Sequence, residues 1–143
     1  MEGIVVVTAS MEPALSVGRH VFVNKMVYKV RSPRRGEIVV FPSPVEKKEL
    51  VKRIIALEGD EVRIEKKQVI LNGKPLQEPY VIHTRSHEML KGDNLEVGFV
   101  PQGRVFLLGD NRDWSGDSRD WVDAKGDPIY FVPVDRLRGK LVI

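Results

Sequence analysis

Two residues sit where acid–base or nucleophilic chemistry could be done from otherwise apolar surroundings. Ser10 ends the stretch Ile4-Val5-Val6-Val7-Thr8-Ala9 and precedes Met11-Glu12-Pro13. Read alone, such a serine caps a turn; its hydroxyl becomes a nucleophile only if a neighbouring base takes the proton. Lys52 lies in Leu50–Leu57, where residues two apart share a strand face, so it is placed in one row with Leu50, Ile54 and Ala56. A lysine in an apolar row either snorkels its ammonium to water or is deprotonated by burial. In the second case its amine is a general base near neutral pH. A third feature is the run Gly109–Arg119, GDNRDWSGDSR, directly after the apolar Val105–Leu108. It is too polar for a core and too dense in hydrogen-bonding groups for a casual loop. Taken alone it is either a structural turn held by Asp/Arg pairs or a rigid support that presents catalytic groups.

Other chemistries find less support. His83 and His87 flank Thr84-Arg85-Ser86 without helical periodicity and without the Glu of a metalloprotease helix, and His20 opens a strand. The oxygen ligands from Asn111 onward resemble a calcium loop, but Val122 stands at the twelfth position, where a Glu is required. There is no GxSxG elbow, and the absence of cysteine removes disulfides, thiolate catalysis and Cys-based metal sites. No metal or cofactor is expected. The net charge of +3 arises from 23 basic and 20 acidic residues scattered along the chain, which is not the concentrated field of a nucleic-acid binder. No apolar run approaches the roughly 18–20 residues that span a bilayer.

These groups must be positioned by strands. Val and Ile dominate short runs that end at Gly or Pro, predicting strands near Gly3–Ala9, His20–Val30, Glu37–Phe41, Leu50–Leu57, Glu61–Glu65, Gln68–Leu71, Val105–Leu108, Ile129–Val132 and Leu137–Ile143. Lys66-Lys67 and Asn72-Gly73 read as hairpin turns, and Ser10–Val17 as the one place for a short helical turn. The prediction is one all-β domain over residues 1–143.

Four motifs then resemble, in order, those of the bacterial type I signal peptidases, a family of serine–lysine endopeptidases. Ser10-Met11-Glu12-Pro13-Ala14-Leu15 is similar to the nucleophile motif Ser-Met-x-Pro-Thr-Leu, and Arg35-Gly36-Glu37-Ile38-Val39-Val40-Phe41 to Arg-Gly-Asp-Ile-Val-Val-Phe. Val51-Lys52-Arg53-Ile54-Ile55 through Gly59-Asp60 resembles the motif of the lysine base, and Gly109–Arg119 the family's last signature. The resemblance implies coiled antiparallel sheets, Ser10 as nucleophile and Lys52 as general base. It further implies Ser115 as the hydroxyl that orients the amine, and Thr8 with the Ser10 N–H as oxyanion donors. Asp117 and Arg119 would be a supporting ion pair.

The implied substrate is a preprotein signal peptide with small residues at −1 and −3. It would be bound as a strand between Val5, Val6, Val7 and Ala9 on one side and Leu50 and Val51 on the other. The partners implied are that peptide and a membrane lipid surface, with exposed apolar area at the Ser10 end. The expected location is the outer face of a cell membrane, the chain being a catalytic domain without the family's anchor, since Ser10 lies only nine residues in. Departures from the family pattern are Ala9 for Gly, Ala14 for Thr, Glu37 for Asp, Glu58 for Pro and Trp114 for Asn, with Val122–Tyr130 as an inserted loop. None removes a catalytic group. Two other readings stay open: a self-cleaving serine–lysine protease of the repressor type, and a catalytically silent β-domain that binds peptides or membranes.

Overall fold

Blocks of β-branched residues punctuated by Gly, Pro and Asn-Gly leave strand pairing as the way to bury this chain's apolar side chains. The computed structural model describes residues 1–142. Its strands are β1 Glu2–Val5, β2 His20–Asn24, β3 Ile38–Pro42, β4 Glu49–Leu57, β5 Glu61–Glu65, β6 Gln68–Leu71, β7 Lys74–Pro75, β8 Leu95–Phe99, β9 Arg104–Leu108, β10 Val132–Pro133 and β11 Gly139–Val142. One antiparallel sheet runs β1-β2-β11-β3-β4-β9-β10, and a smaller one runs β7-β6-β5-β8. The all-β prediction holds. Ile143, the end of the last predicted strand, lies outside the described residues.

Both predicted hairpin turns occur, with positive φ at Lys66, Lys67, Asn72 and Gly73 as a primed two-residue turn requires. Strand ends differ from expectation for local reasons. The strand predicted to continue to Val30 stops at Asn24, whose side-chain oxygen accepts the Met26 N–H. That turns the chain out of the sheet and into a single helical turn, α1 Val27–Val30. Strand β8 was not anticipated because Gly98 interrupts Leu95–Phe99; it sits at a register shift against β5 with φ +93°, where a glycine marks a bulge rather than an end. Residues 10–17 form turns, with the Leu15 N–H donating to the Met11 carbonyl, and not a regular helix.

Two deviations shape the site. The ladder of β1 ends at Val5, four residues short of the prediction; Val6 still exchanges backbone hydrogen bonds with Gly18 and Arg19, and Val6–Thr8 faces Leu50–Lys52 of β4 across a cleft. In β4 a bulge separates Ile54 from Ala56. Leu50 and Ile54 face the cluster of Val39, Phe41, Leu107 and Trp121, whereas Ala56 faces the cluster of Val62, Val69 and Phe106 that joins the two sheets. Lys52 therefore keeps the row predicted with Leu50 and Ile54 but loses Ala56 from it. A third cluster, Val6, Met11, Leu15, Val23, Val40 and Leu141, packs beneath Ser10. No helix among the described residues is long and apolar enough to cross a membrane.

Candidate active site

The central strand β4 carries Lys52 into the interior, where it is 3% exposed. Its Nζ donates to Ser115 Oγ at 2.9 Å, so its hydrogen-bond partner is a neutral hydroxyl and not a carboxylate. Burial is the main influence on the amine; it outweighs the attraction of Asp117 and brings the pKa down to about 8. The amine is thus enclosed and not snorkelled to water, and burial makes its proton easier to lose than that of an exposed lysine.

Ser115 is held from the other side. Its hydroxyl donates to Asp117 Oδ2 at 2.8 Å, leaving its lone pairs for the amine. Asp117 is fully buried, and burial alone would raise its carboxyl. Arg119 reverses that with a two-pronged pair, Nε to Oδ1 at 2.8 Å and Nη2 to Oδ2 at 2.9 Å, holding the carboxyl below the usual range. The Gly109 N–H adds a further hydrogen bond to Oδ2 at 3.1 Å. Gly109 is where this turn meets the nucleophile's backbone: a Cβ there would lie 2.1 Å from Ser115 Oγ and 2.7 Å from the Ser10 carbonyl oxygen. Only a residue without a side chain allows that approach.

Ser10 is 7% exposed and shares a cleft wall with Lys52. Its Oγ lies 3.1 Å from Thr8 Oγ1, and no direct hydrogen bond joins it to Lys52 Nζ among the described residues. Asn111 fixes the backbone here: its N–H donates to the Ser10 carbonyl at 2.9 Å and its Nδ2 to the Ala9 carbonyl at 3.0 Å. With both carbonyls turned toward Asn111, the Ser10 N–H points the opposite way across the trans peptide plane. It has no acceptor among the described residues.

Of the predicted substrate contacts, Val5, Val6, Val7, Leu50 and Val51 line a cleft of about 270 Å³ floored by Met11, Leu15 and Val40. Ala9 does not line it; it is half-buried, its carbonyl directed at Asn111. The Val122–Tyr130 segment is an exposed turn in which Asp123 Oδ1 accepts the N–H groups of Lys125 and Asp127. His83 approaches Asp113 at 3.9 Å, apart from exposed His87.

Three supporting groups received no role from the sequence: Gly109, Asn111, and the pair Arg53–Asp110. Arg53 donates to both Asp110 oxygens at 2.9 and 2.7 Å and stacks on Tyr80 at 3.9 Å, locking β4 to the run after β9. All but Arg53 and Tyr80 fall inside Gly109–Arg119, so that run's density was the available signal.

The family model for signal peptidase, peptidase S26, matches residues 1–143. A probable signal peptidase I-2 of Synechocystis sp. is 37% identical over 142 residues, covering 95% of this chain and 59% of the relative. A signal peptidase I of Bacillus licheniformis is 37% identical over 140 residues, 90% of this chain and 75% of the relative. The chain thus spans less than two thirds of the length of the first of these. The crystal structure of a signal peptidase I from Enterococcus faecalis V583 superimposes with a TM-score of 0.60 at 30% identity, over 79% of this chain and 99% of the other.

Proposed function

The chain belongs to the signal peptidase family, peptidase S26, and we propose that it is a serine endopeptidase cleaving signal peptides from exported preproteins after Ala-x-Ala. Ser10 is the nucleophile and neutral Lys52 the general base. The observation that carries this reading is the Lys52 amine, buried on the wall of Ser10's cleft and bonded to the Ser115 hydroxyl instead of a carboxylate.

The chemistry follows from that placement. Ser115 occupies one N–H direction of the amine, which leaves the nitrogen lone pair one of the two remaining positions. When substrate arrives, Ser10 Oγ turns from Thr8 toward the scissile carbonyl and gives its proton to Lys52 Nζ as the C–O bond forms. Resting-state hydrogen bonds commonly rearrange in this way on substrate binding. The oxyanion is met by the Ser10 N–H and the Thr8 hydroxyl released from Oγ; one such donor is worth roughly 2.7–4 kcal/mol. Lys52 then returns the proton to the leaving amine as the C–N bond breaks, giving an acyl ester on Ser10. It next deprotonates a water that attacks the ester, and Ser10 Oγ recovers the proton.

The substrate lies extended between Val5–Val7 and Leu50–Val51 as an added strand. The apolar floor of Met11, Leu15 and Val40 accepts small side chains at −1 and −3. On the outer face of β1, β2 and β11, the paired positions Gly3, Phe22 and Val142 are exposed together with Val5. This face rests on the lipid surface from which a signal peptide emerges.

Incubation with an Ala-x-Ala preprotein in detergent, with the products mapped by mass, is expected to give one cut after the −1 residue. Ser10→Ala and Lys52→Ala should each abolish it while retaining the wild-type fold by circular dichroism. Turnover by Lys52→Ala at the wild-type rate would end the dyad reading. Self-cleavage alone would favour the repressor-type protease, and binding without cleavage the silent β-domain.

A further inference from the structure

The mechanism leaves Trp114 unused, although it adjoins Ser115. It is 62% exposed, yet it is not loosely held. It closes the 3-10 turn Arg112–Trp114, whose other two residues are buried, and its N–H donates to the Asn111 carbonyl at 3.0 Å. The Arg85 guanidinium lies 6.0 Å from its ring centroid, and Arg85 is itself tied by its backbone N–H to Asp113 Oδ2 at 2.8 Å. Holding an indole in water forgoes hydrophobic free energy. A rigid exposed indole loses little entropy when something packs on it, which is why such residues serve as binding anchors.

What packs on it is indicated by a second cleft, of about 390 Å³, between Trp114, Trp121 and Val45. This cleft shares Thr8, Ser10, Lys48, Leu50 and Lys52 with the first and diverges from it there: one is walled by Val5–Val7 and Val51, the other by the two tryptophans and Val45. A peptide extended along Val5–Val7 with its scissile carbonyl at Ser10 would, on passing Ser10, meet the second cleft. Glu46 and Lys48, paired at 3.0 Å, form a polar rim there.

We propose that Trp114, with Trp121 and Val45, forms the subsite for the residue that follows the scissile bond, and that it favours an apolar side chain there. This rests on the endopeptidase reading above. Trp114 is then a specificity-determining residue on the leaving-group side, where a solvent-facing amide would leave an open slot.

The test uses two peptide series. The first is identical through an Ala-x-Ala segment and places Leu, Phe, Ala or Asp after the cut; the second varies −1 between Ala and Val. The kcat/KM values of wild type, Trp114→Ala, Trp114→Asn and Trp114→Phe are compared. Wild type should prefer Leu or Phe over Asp by roughly three- to tenfold, the range of one aromatic contact. That preference should flatten in the Ala and Asn variants and be retained in the Phe variant, while the Ala/Val ratio at −1 stays at its wild-type value in all. An unchanged profile after the cut would overturn the subsite. So would a shift confined to −1, which puts Trp114 on the other side of the bond. Weaker binding of Trp114→Ala to anionic lipid vesicles with an unchanged profile would assign the indole to the membrane instead. If wild type cleaved no peptide in either series, the endopeptidase reading would fall, and the subsite with it.

Discussion

Asp117 and Arg119 act on Lys52 in opposite directions, the carboxylate favouring the charged amine and the guanidinium opposing it. Burial therefore decides, and it brings the amine from an ordinary 10.5 down to about 8. A base must be deprotonated to accept the Ser10 proton, so kcat/KM should rise with pH through about 8. Replacing Arg119 by Gln removes a positive neighbour and leaves Asp117 uncompensated. The Lys52 pKa then rises, and the rising limb should move to higher pH, with Arg119→Lys closer to wild type. Rate profiles from about pH 6 to 10 check this; a flat wild-type profile would contradict the assignment of Lys52. At this scale the sequence went far. Lys52 stood out by its apolar row, and Ser10, Thr8 and Ser115 were named by motif likeness. Asn111 was not, because its part is played through two carbonyls that no side-chain pattern displays.

The elements matter through their register. Strand β4 pairs with β9 so that Arg53 lies opposite Leu108, and the chain leaving β9 passes Gly109 directly over Ser10. The bidentate Arg53–Asp110 pair locks that alignment. Gly109→Ala should displace Ser115 or the Ser10 carbonyl, since its Cβ would sit well inside contact distance of both. A misplacement of about 1 Å commonly lowers turnover by about a hundredfold, whereas local overpacking costs about 1–3 kcal/mol. The expected outcome is a kcat loss of that order, measured on a protein that still unfolds cooperatively. Wild-type kcat would show the approach to be unimportant. The hairpin β6–β7 was legible because Asn72-Gly73 favours positive φ, and β5–β6 because the alternation of Glu61–Glu65 breaks at Lys66-Lys67. The early end of β1, the bulge after Ile54 and strand β8 were not. Each depends on what lies opposite, and periodicity within one segment carries no record of its partner.

Among the described residues, charge is buried repeatedly in paired form, with Lys52 standing apart. Asp117–Arg119, Arg53–Asp110, Arg112–Glu78 and the Lys67–Asp93–Asp113 cluster each pair a largely enclosed cation with carboxylates. The Lys67 cluster ties the β5–β6 hairpin to the run that bears Ser115. Lys52 lacks a bonded carboxylate, so its burial opposes folding. The folded pKa lies below the unfolded one, and the unfolded chain therefore binds the extra proton between about 8 and 10.5. Stability rises with pH across that window. Lys52→Met should thus be more stable than wild type at neutral pH, by on the order of 2 kcal/mol. That advantage should shrink as pH climbs through the window, as read by chemical denaturation at several pH values. A less stable Lys52→Met variant at pH 7 would mean that the surroundings compensate the buried charge and that the pKa is not depressed.

By itself the sequence determined the all-β class, the two tight hairpins, and the short list of groups able to do the chemistry. These follow from local backbone preference and from residue type, which every segment carries with it. The tertiary structure decided that Val6–Thr8 faces β4 across a cleft and that the Lys52 amine is sealed beside a hydroxyl. It also decided that Gly109 lies close to both the Ser10 carbonyl and the Ser115 hydroxyl and that Trp114 lines a second cleft that Ser10 shares. Those are properties of distance and dielectric between segments up to a hundred residues apart, and they exist only once the sheets have closed around them.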